Sequence, residues 1–204
     1  MNIHLFCDMR VRDENKIEAL LAEARKMVVE EGFDGLSMQK LAKAAGVSPA
    51  TIYIYFKDRD DLLIQLYKRE TDRFFEYIFR DFDPEMDFAT GMTVQWKSRA
   101  SYVIENLDNT HFMEHFKYSH LHQKAMALRD PKYAEGLKRF VRKAIDNKEL
   151  VEMPFEVYWS VAFAPLYNLV HYHKAGRNMA GDPFVLTDEM LLQTLSLVLK
   201  ALKP

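Results

Sequence analysis

Residues 48–56 read "SPATIYIYF". Six of the nine, Thr51 to Phe56, are β-branched or aromatic, and by propensity alone that is a strand. Both flanks speak for helix. Upstream, "SMQKLAKAAG" (37–46) has Ser37 in position to cap a helix and Gly46 in position to end one. Downstream, Asp58 opens a run in which Leu62, Leu63, Leu66 and Tyr67, then Phe74, Phe75, Ile78 and Phe79, recur at helical spacing as far as about Phe82. Ser48-Pro49 is itself a helix start, a capping hydroxyl followed by proline at the first helical position.

As a helix from Pro49, the word sorts its residues by face. Ile52 and Phe56 lie four apart and, with Val47 and Leu41, can bury against the preceding helix. Ala50, Thr51 and Ile54 face away, with Tyr53 and Tyr55 on the flanks. Two short helices joined through Gly46 and Val47 make a helix-turn-helix, which needs a tight turn often supplied by glycine. Local preference and predicted structure disagree here, as they tend to at functional sites.

From Gly35 to Lys57 there is no Asp or Glu, while Lys40, Lys43 and Lys57 fall within the segment and Arg59 follows. An acid-free, basic, hydroxyl-rich surface suits a phosphate backbone, and the second helix of such a motif enters the major groove. Thr51 and Ile54 suit thymine methyls, and Gln39 suits adenine or another base edge. Ser37, Tyr53, Tyr55 and Lys57 suit phosphates and register, and Lys40 and Ser48 complete the candidate DNA-binding set. The plainer alternative is a helical hairpin with a solvated face.

Elsewhere the pattern is also helical. "DENKIEALLAEARKMVVEEGF" (13–33) places Ile17, Leu20, Leu21, Ala24, Met27 and Val28 on one stripe, with Asp13 as a possible cap and Gly32 as the stop. Asp83-Pro84 breaks the pattern. Five further helices are expected near 86–107, 110–128, 131–147, 154–175 and 187–202, giving about nine in all. No repeat, low-complexity tract or convincing strand interrupts them. The expected fold is all-α: a three-helix helix-turn-helix domain over residues 12–57, then a connecting helix and a larger helical bundle over 58–204.

Composition narrows the setting. The chain has 204 residues, 49% hydrophobic and 28% charged, with a formal net charge of −2, so any basic surface must be local. The single cysteine, Cys7, excludes an internal disulfide framework and fits a reducing cytoplasm. No apolar run reaches membrane-span length, and "MNIHLFCDMRVR" is a poor signal peptide; Met9 is a second candidate start. There is no nucleophile elbow, phosphate loop or paired-cysteine motif, so no enzyme, cofactor or metal is expected.

"SMQKLAKAAGVSPATIYIYFKDRDDLL" closely resembles the DNA-binding domain of the TetR family of bacterial transcription repressors. The resemblance runs over about residues 12–66 and is carried by Glu31, Gly32, Phe33, Ser37, Leu41, Ala42, Gly46, Val47, Ser48, Thr51, Tyr53, Tyr55, Phe56, Lys57 and Leu62. Ala50 stands where glycine is frequent, Arg59-Asp60 replaces the commoner Lys-Glu, and Ile54 stands where larger or polar groups are common. The resemblance implies a homodimer on a palindromic operator, with one ligand pocket per subunit in a divergent C-terminal domain. It also implies DNA contacts from Ser37, Gln39, Pro49, Ala50, Thr51, Tyr53, Ile54, Tyr55 and Arg59.

In the C-terminal part, "FEVYWSVAFAPLYNLVHYH" (155–173) and "TDEMLLQTLSLVLKAL" (187–202) are too apolar for lone surface helices. Pairing with their two-fold mates gives a four-helix interface, with Val161, Pro165, Leu169, Leu191, Leu195, Val198 and Leu202 as candidate contacts. The alternative is that these faces belong to the internal core. A gap among Trp96, Phe112, Phe116, Trp159 and Phe163, with His115 able to hydrogen-bond a ligand, is the candidate pocket for a small, largely apolar effector; plain core packing is the competing meaning of such rings. The remaining alternatives are a DNA-binding dimer without effector, and a helical metal-binding protein using His111 with His115, His120 with His122 or His171 with His173.

Overall fold

The computed structural model describes the backbone of residues 3–204 and the side chains of residues 14–204. Cys7, Met9 and Asp13 therefore lie outside the described side chains. Ten α-helices and one 3-10 turn follow in order: α1 (Ile3–Glu31), the turn Phe33–Gly35, α2 (Met38–Ala44), α3 (Pro49–Tyr55), α4 (Arg59–Phe79), α5 (Phe88–Glu105), α6 (Leu107–Phe116), α7 (His122–Met126), α8 (Pro131–Asp146), α9 (Phe155–Ala175) and α10 (Asp188–Leu202). Among the described residues there is no strand, only an isolated bridge between Arg177 and Pro183.

Three expected boundaries shift. Helix α1 begins at Ile3, so Asp13 lies within it instead of at its start. Helix α4 ends at Phe79 because the next amides turn back three residues, Arg80 to Tyr77 O and Phe82 to Phe79 O, each at 3.3 Å. The helix expected over 110–128 is two, α6 and α7. Between them the amides of Tyr118, Ser119 and His122 also bond three residues back, and the Ser119 hydroxyl donates to Phe116 O at 2.8 Å. That hydroxyl bond competes with helix continuation.

Two compact units result: Met1–Thr71 with Asp108–Arg129, and Asp72–Leu107 with Asp130–Pro204. The expected 12–57 module lies inside the first, which extends further for a packing reason. Leu62, Leu63, Leu66 and Tyr67 of α4 and Phe112 and Phe116 of α6 are buried with Leu20, Leu21, Ala24 and Val28 of α1 in one core. Tyr67 stacks on Phe116 at 4.2 Å, and Phe33 packs against Phe112 and Phe116 at 6.4 and 6.1 Å. Arg25 pairs with the buried Glu70 at 2.8 Å.

The second unit packs α9 on α10 and on α5, with α8 also against α5. Its core holds Trp96, Ala100 and Val103 of α5, Phe140 of α8, Ala162, Phe163 and Leu166 of α9, and Leu191, Leu195, Val198 and Leu202 of α10. Gly91 is required where α5 meets α8, because a Cβ there would lie 2.4 Å from the Phe140 ring. The four α10 leucine and valine positions expected at a subunit interface are thus spent on the chain's own core. Their spacing of four, three and four residues is a single stripe, and one stripe cannot face two ways.

Candidate nucleic-acid interface

Helix α2 starts on Ser37, whose hydroxyl accepts the Lys40 amide at 3.2 Å. It ends in a Schellman arrangement, with the Val47 amide donating to Ala42 O at 3.0 Å and Gly46 N to Lys43 O at 3.3 Å. Gly46 takes φ 67°, in the left-handed region glycine enters without strain. Two residues later Ser48 caps α3, accepting the Thr51 amide at 3.2 Å, with Pro49 in the first turn. The strand-like word is therefore a helix of seven residues, Pro49–Tyr55.

Seven residues are too few for a helix to persist unaided. Packing holds it: Ile52 is fully buried and Phe56 nearly so, both in the core shared with Leu41 of α2. Burial of each side chain is worth about 1.5–3 kcal/mol, enough to offset tenths of a kcal/mol per residue in unfavourable propensity. The opposite face is bare. Ile54 is 75% exposed and Tyr53 54%. Pro49 and Ala50 are exposed, as are Ser37, Gln39, Lys40, Ser48 and Lys57, while Thr51 and Tyr55 are half-buried. The helix-turn-helix thus collects an apolar methyl face, two tyrosines and three exposed lysines, Lys40, Lys43 and Lys57, on a surface without carboxylates between Gly35 and Lys57.

Three expected contacts have local duties. Thr51 and Ser48 share a hydroxyl–hydroxyl hydrogen bond at 2.9 Å, so Thr51 offers chiefly its methyl outward. Lys40 reaches Glu31 at 3.1 Å, an exposed pair of little energetic weight. Arg59, which the resemblance places among the DNA contacts, also has a local duty. Its guanidinium donates to the carbonyls of Phe33 and Leu36 and is only partly exposed, so it fastens the 3-10 turn before α2. Asp58 and Asp61 lock the start of α4: Asp61 N donates to Asp58 Oδ1 at 2.8 Å, and Lys57 N to Asp61 Oδ2 at 2.9 Å.

The six residues expected to line one pocket divide between the units. Phe112 and Phe116 are buried in the core of the first, where His115 is exposed on α6. Trp96 and Phe163 are buried in the second, with Trp159 half-buried against them. Trp96 is fixed by a hydrogen bond from Nε1 to Ala162 O at 2.9 Å. Sequence reading missed Arg99 and Gln95, both buried on α5. The signal was available: Met92, Gln95, Trp96, Arg99 and Val103 share one helical stripe, so an arginine falls on the buried side.

The histidines do not converge. Among the described residues no group of three or more His, Cys, Asp or Glu side chains is placed to hold a metal ion. His120 lies 3.7 Å from Asp60, His122 meets the edge of Tyr67, and His173 Nδ1 accepts the Leu186 amide at 3.1 Å. Nor is any helix among the described residues long and apolar enough to cross a membrane.

An exposed, acid-free second helix held on a helix-turn-helix defines a DNA-binding transcription regulator. Residues 20–66 match the sequence profile of bacterial regulatory proteins, tetR family. An uncharacterized HTH-type transcriptional regulator of Haemophilus influenzae is 35% identical over 98 residues, covering 48% of this chain and 52% of that protein. A fatty acid metabolism regulator protein of Bacillus subtilis is 36% identical over 66 residues, covering 32% of this chain and 34% of that one. The chain thus spans about half or less of the length of these two curated relatives. A crystal structure of a TetR family transcription regulator from Marinobacter aquaeolei superposes with a TM-score of 0.82 at 27% identity, covering 95% of this chain and 98% of that one. Residues 20–66 thus match the DNA-binding part of the tetR family of bacterial regulatory proteins, and over 95% of its length the chain shares the fold of a TetR family transcription regulator.

Proposed function

We propose that the protein is a ligand-responsive repressor of the bacterial cytoplasm that binds a palindromic operator as a homodimer, through the 12–57 module, and is released by a small, largely apolar effector. The observation that carries the DNA-binding half is the division of α3: Ile52 and Phe56 in the core, Tyr53 and Ile54 bare. Ala50, Thr51 and Ile54 then read base edges with Gln39, while Ser37, Lys40, Tyr53, Tyr55 and Lys57 hold phosphates. Arg59 acts behind them by holding the turn.

Dimerisation is supported by apolar surface left over after the core is filled. Helix α9 exposes Val157 and partly exposes Val161, Pro165 and Leu169, and α10 exposes Met190 and Leu197. Two adjacent helices with uncovered apolar faces suit a four-helix contact with a second copy. That copy would meet Leu197, not Leu195.

The alternative, a dimer without effector, has one observation in its favour: Trp96, Phe112, Phe116 and Phe163 are all committed to packing. The deciding experiment is a footprint on the DNA flanking the protein's own gene, followed by competition with candidate small molecules. Protection of a site with two-fold symmetry, lost on addition of a small molecule, is the expected result. An asymmetric or absent footprint would overturn the reading.

A further inference from the structure

Arg99 is the one arginine among the described residues that is fully buried, with 2% of its surface exposed. An arginine cannot shed its charge at any ordinary pH, so burial has to be compensated by neighbours. Among the described residues no carboxylate pairs with it. The neighbours it has are aromatic: its guanidinium carbon lies 4.8 Å from the ring centre of Phe163 and 5.5 Å from those of Trp159 and Phe74. Its hydrogen bonds are to neutral oxygens, NH2 to Gln95 Oε1 at 2.9 Å and NH1 to Tyr167 OH at a long 3.3 Å. Nε is buried without any acceptor.

The group is held, not merely enclosed. Gln95 is itself buried, and its Nε2 donates to Ile78 O at 2.8 Å, which turns the amide oxygen toward Arg99. A fixed cation, an unused N–H beside a weakly used one and three aromatic neighbours match the chemistry of a planar anion with an apolar body. A carboxylate matches the guanidinium fork in shape and charge, which phenols and alcohols do not. This cluster also has an edge at the surface, since Trp159 and Tyr167 are only half-buried. Both lie on α9, on either side of Pro165, where the helix lacks one backbone hydrogen bond and yields more readily.

We propose that Arg99, backed by Gln95 and walled by Phe74, Trp159 and Phe163, is the head-group site for an apolar organic carboxylate in the interior of the second unit. This rests on the effector reading above and narrows it from an apolar molecule to an apolar acid. It places the site on Arg99, away from Phe112, His115 and Phe116.

The test uses the full-length protein with decanoate, and with decanol and decyltrimethylammonium as its neutral and cationic matches. Binding is measured by calorimetry and by fluorescence of Trp96 and Trp159, the two tryptophans of the chain. Decanoate should bind at least about tenfold more tightly than decanol, with no measurable binding of the cation. Arg99→Met keeps the apolar volume and should erase the preference; Arg99→Lys should keep part of it. Equal affinity of the wild-type protein for decanoate and decanol would overturn the site whether or not either variant folds, as would a folded Arg99→Met that still prefers the acid. DNA affinity is measured in parallel. Decanoate binding that depends on Arg99 but leaves DNA affinity unchanged upholds the site and overturns only the effector role.

Discussion

Arg59 donates from Nε to the carbonyl of Leu36 across 3.0 Å, and the same guanidinium reaches the carbonyl of Phe33. A residue that the family resemblance assigns to DNA is thereby a clasp between the start of α4 and the turn before α2. Arg59→Ala should destabilise the protein by about 1–3 kcal/mol, because two carbonyls each lose a hydrogen bond to a charged donor, although Phe33 O keeps the Leu36 amide. Lysine should not restore them, since one ammonium lacks the fork. Urea denaturation checks the first point. DNA titrations at several salt concentrations check the second reading: the salt slope should be unchanged, and a slope reduced by about one at unaltered stability would return Arg59 to the phosphate backbone.

Tyr53→Phe and Ile54→Ala separate holding from reading. Both side chains are exposed, so neither change should alter stability by more than about 0.5 kcal/mol. Tyr53→Phe should weaken operator and random DNA by the same factor. Ile54→Ala should change the preferred base at one position in each half-site, costing about 1 kcal/mol or more there. A selected-sequence experiment that returns the wild-type operator for Ile54→Ala would remove Ile54 from base reading.

Leu195 and Leu197 lie two residues apart on α10, with 2% and 61% of their surfaces exposed. Leu197→Glu should give folded monomers with poor operator affinity. Leu195→Ala should cost about 2–5 kcal/mol of stability without selectively dissociating the dimer, as expected for a core truncation. Sedimentation and thermal melts of the two variants distinguish these outcomes. A Leu197→Glu protein that remains dimeric would move the interface off this face.

Burial holds the His122 imidazole below its ordinary value of 6.5, and the positive charges of Arg129 and Lys117 press it in the same direction. In the unfolded chain His122 accepts a proton near its ordinary value; in the folded chain it resists until lower pH. Its contribution is thus complete above the unfolded value and is lost as pH falls from there toward the folded one. His122→Gln should flatten the loss of thermal stability between about pH 7 and pH 5 relative to wild type. Parallel pH curves for the two proteins would show that His122 does not report on folding.

Much of the fold is legible in the sequence because its punctuation is chemical. Ser37, Ser48, Gly46 and Gly176 sit at the helix ends their side chains, or lack of them, favour. The all-helical class follows from spacing, and so does the buried face of α3. What spacing cannot resolve is which of two bodies a buried stripe joins. Phe112 and Trp96 look alike in sequence, yet one packs with Phe33 and the other bonds Ala162, because that choice depends on contacts distant along the chain. For the same reason Leu195 reads equally as interface or core. Arg59 escaped because backbone carbonyls, its actual partners, leave no mark on residue identity.

The short helix α3 also carries a hazard. Thr51–Phe56 is six consecutive uncharged residues of high β propensity, free of glycine and proline, and its helical form depends on two buried side chains and one serine cap. Any fluctuation that frees Ile52 and Phe56 releases a segment suited to pairing edge to edge with its own copies in other molecules. Occupancy by DNA would shield that segment, so the protein should form fewer amyloid-like deposits on warming when its operator is present in excess than when it is alone.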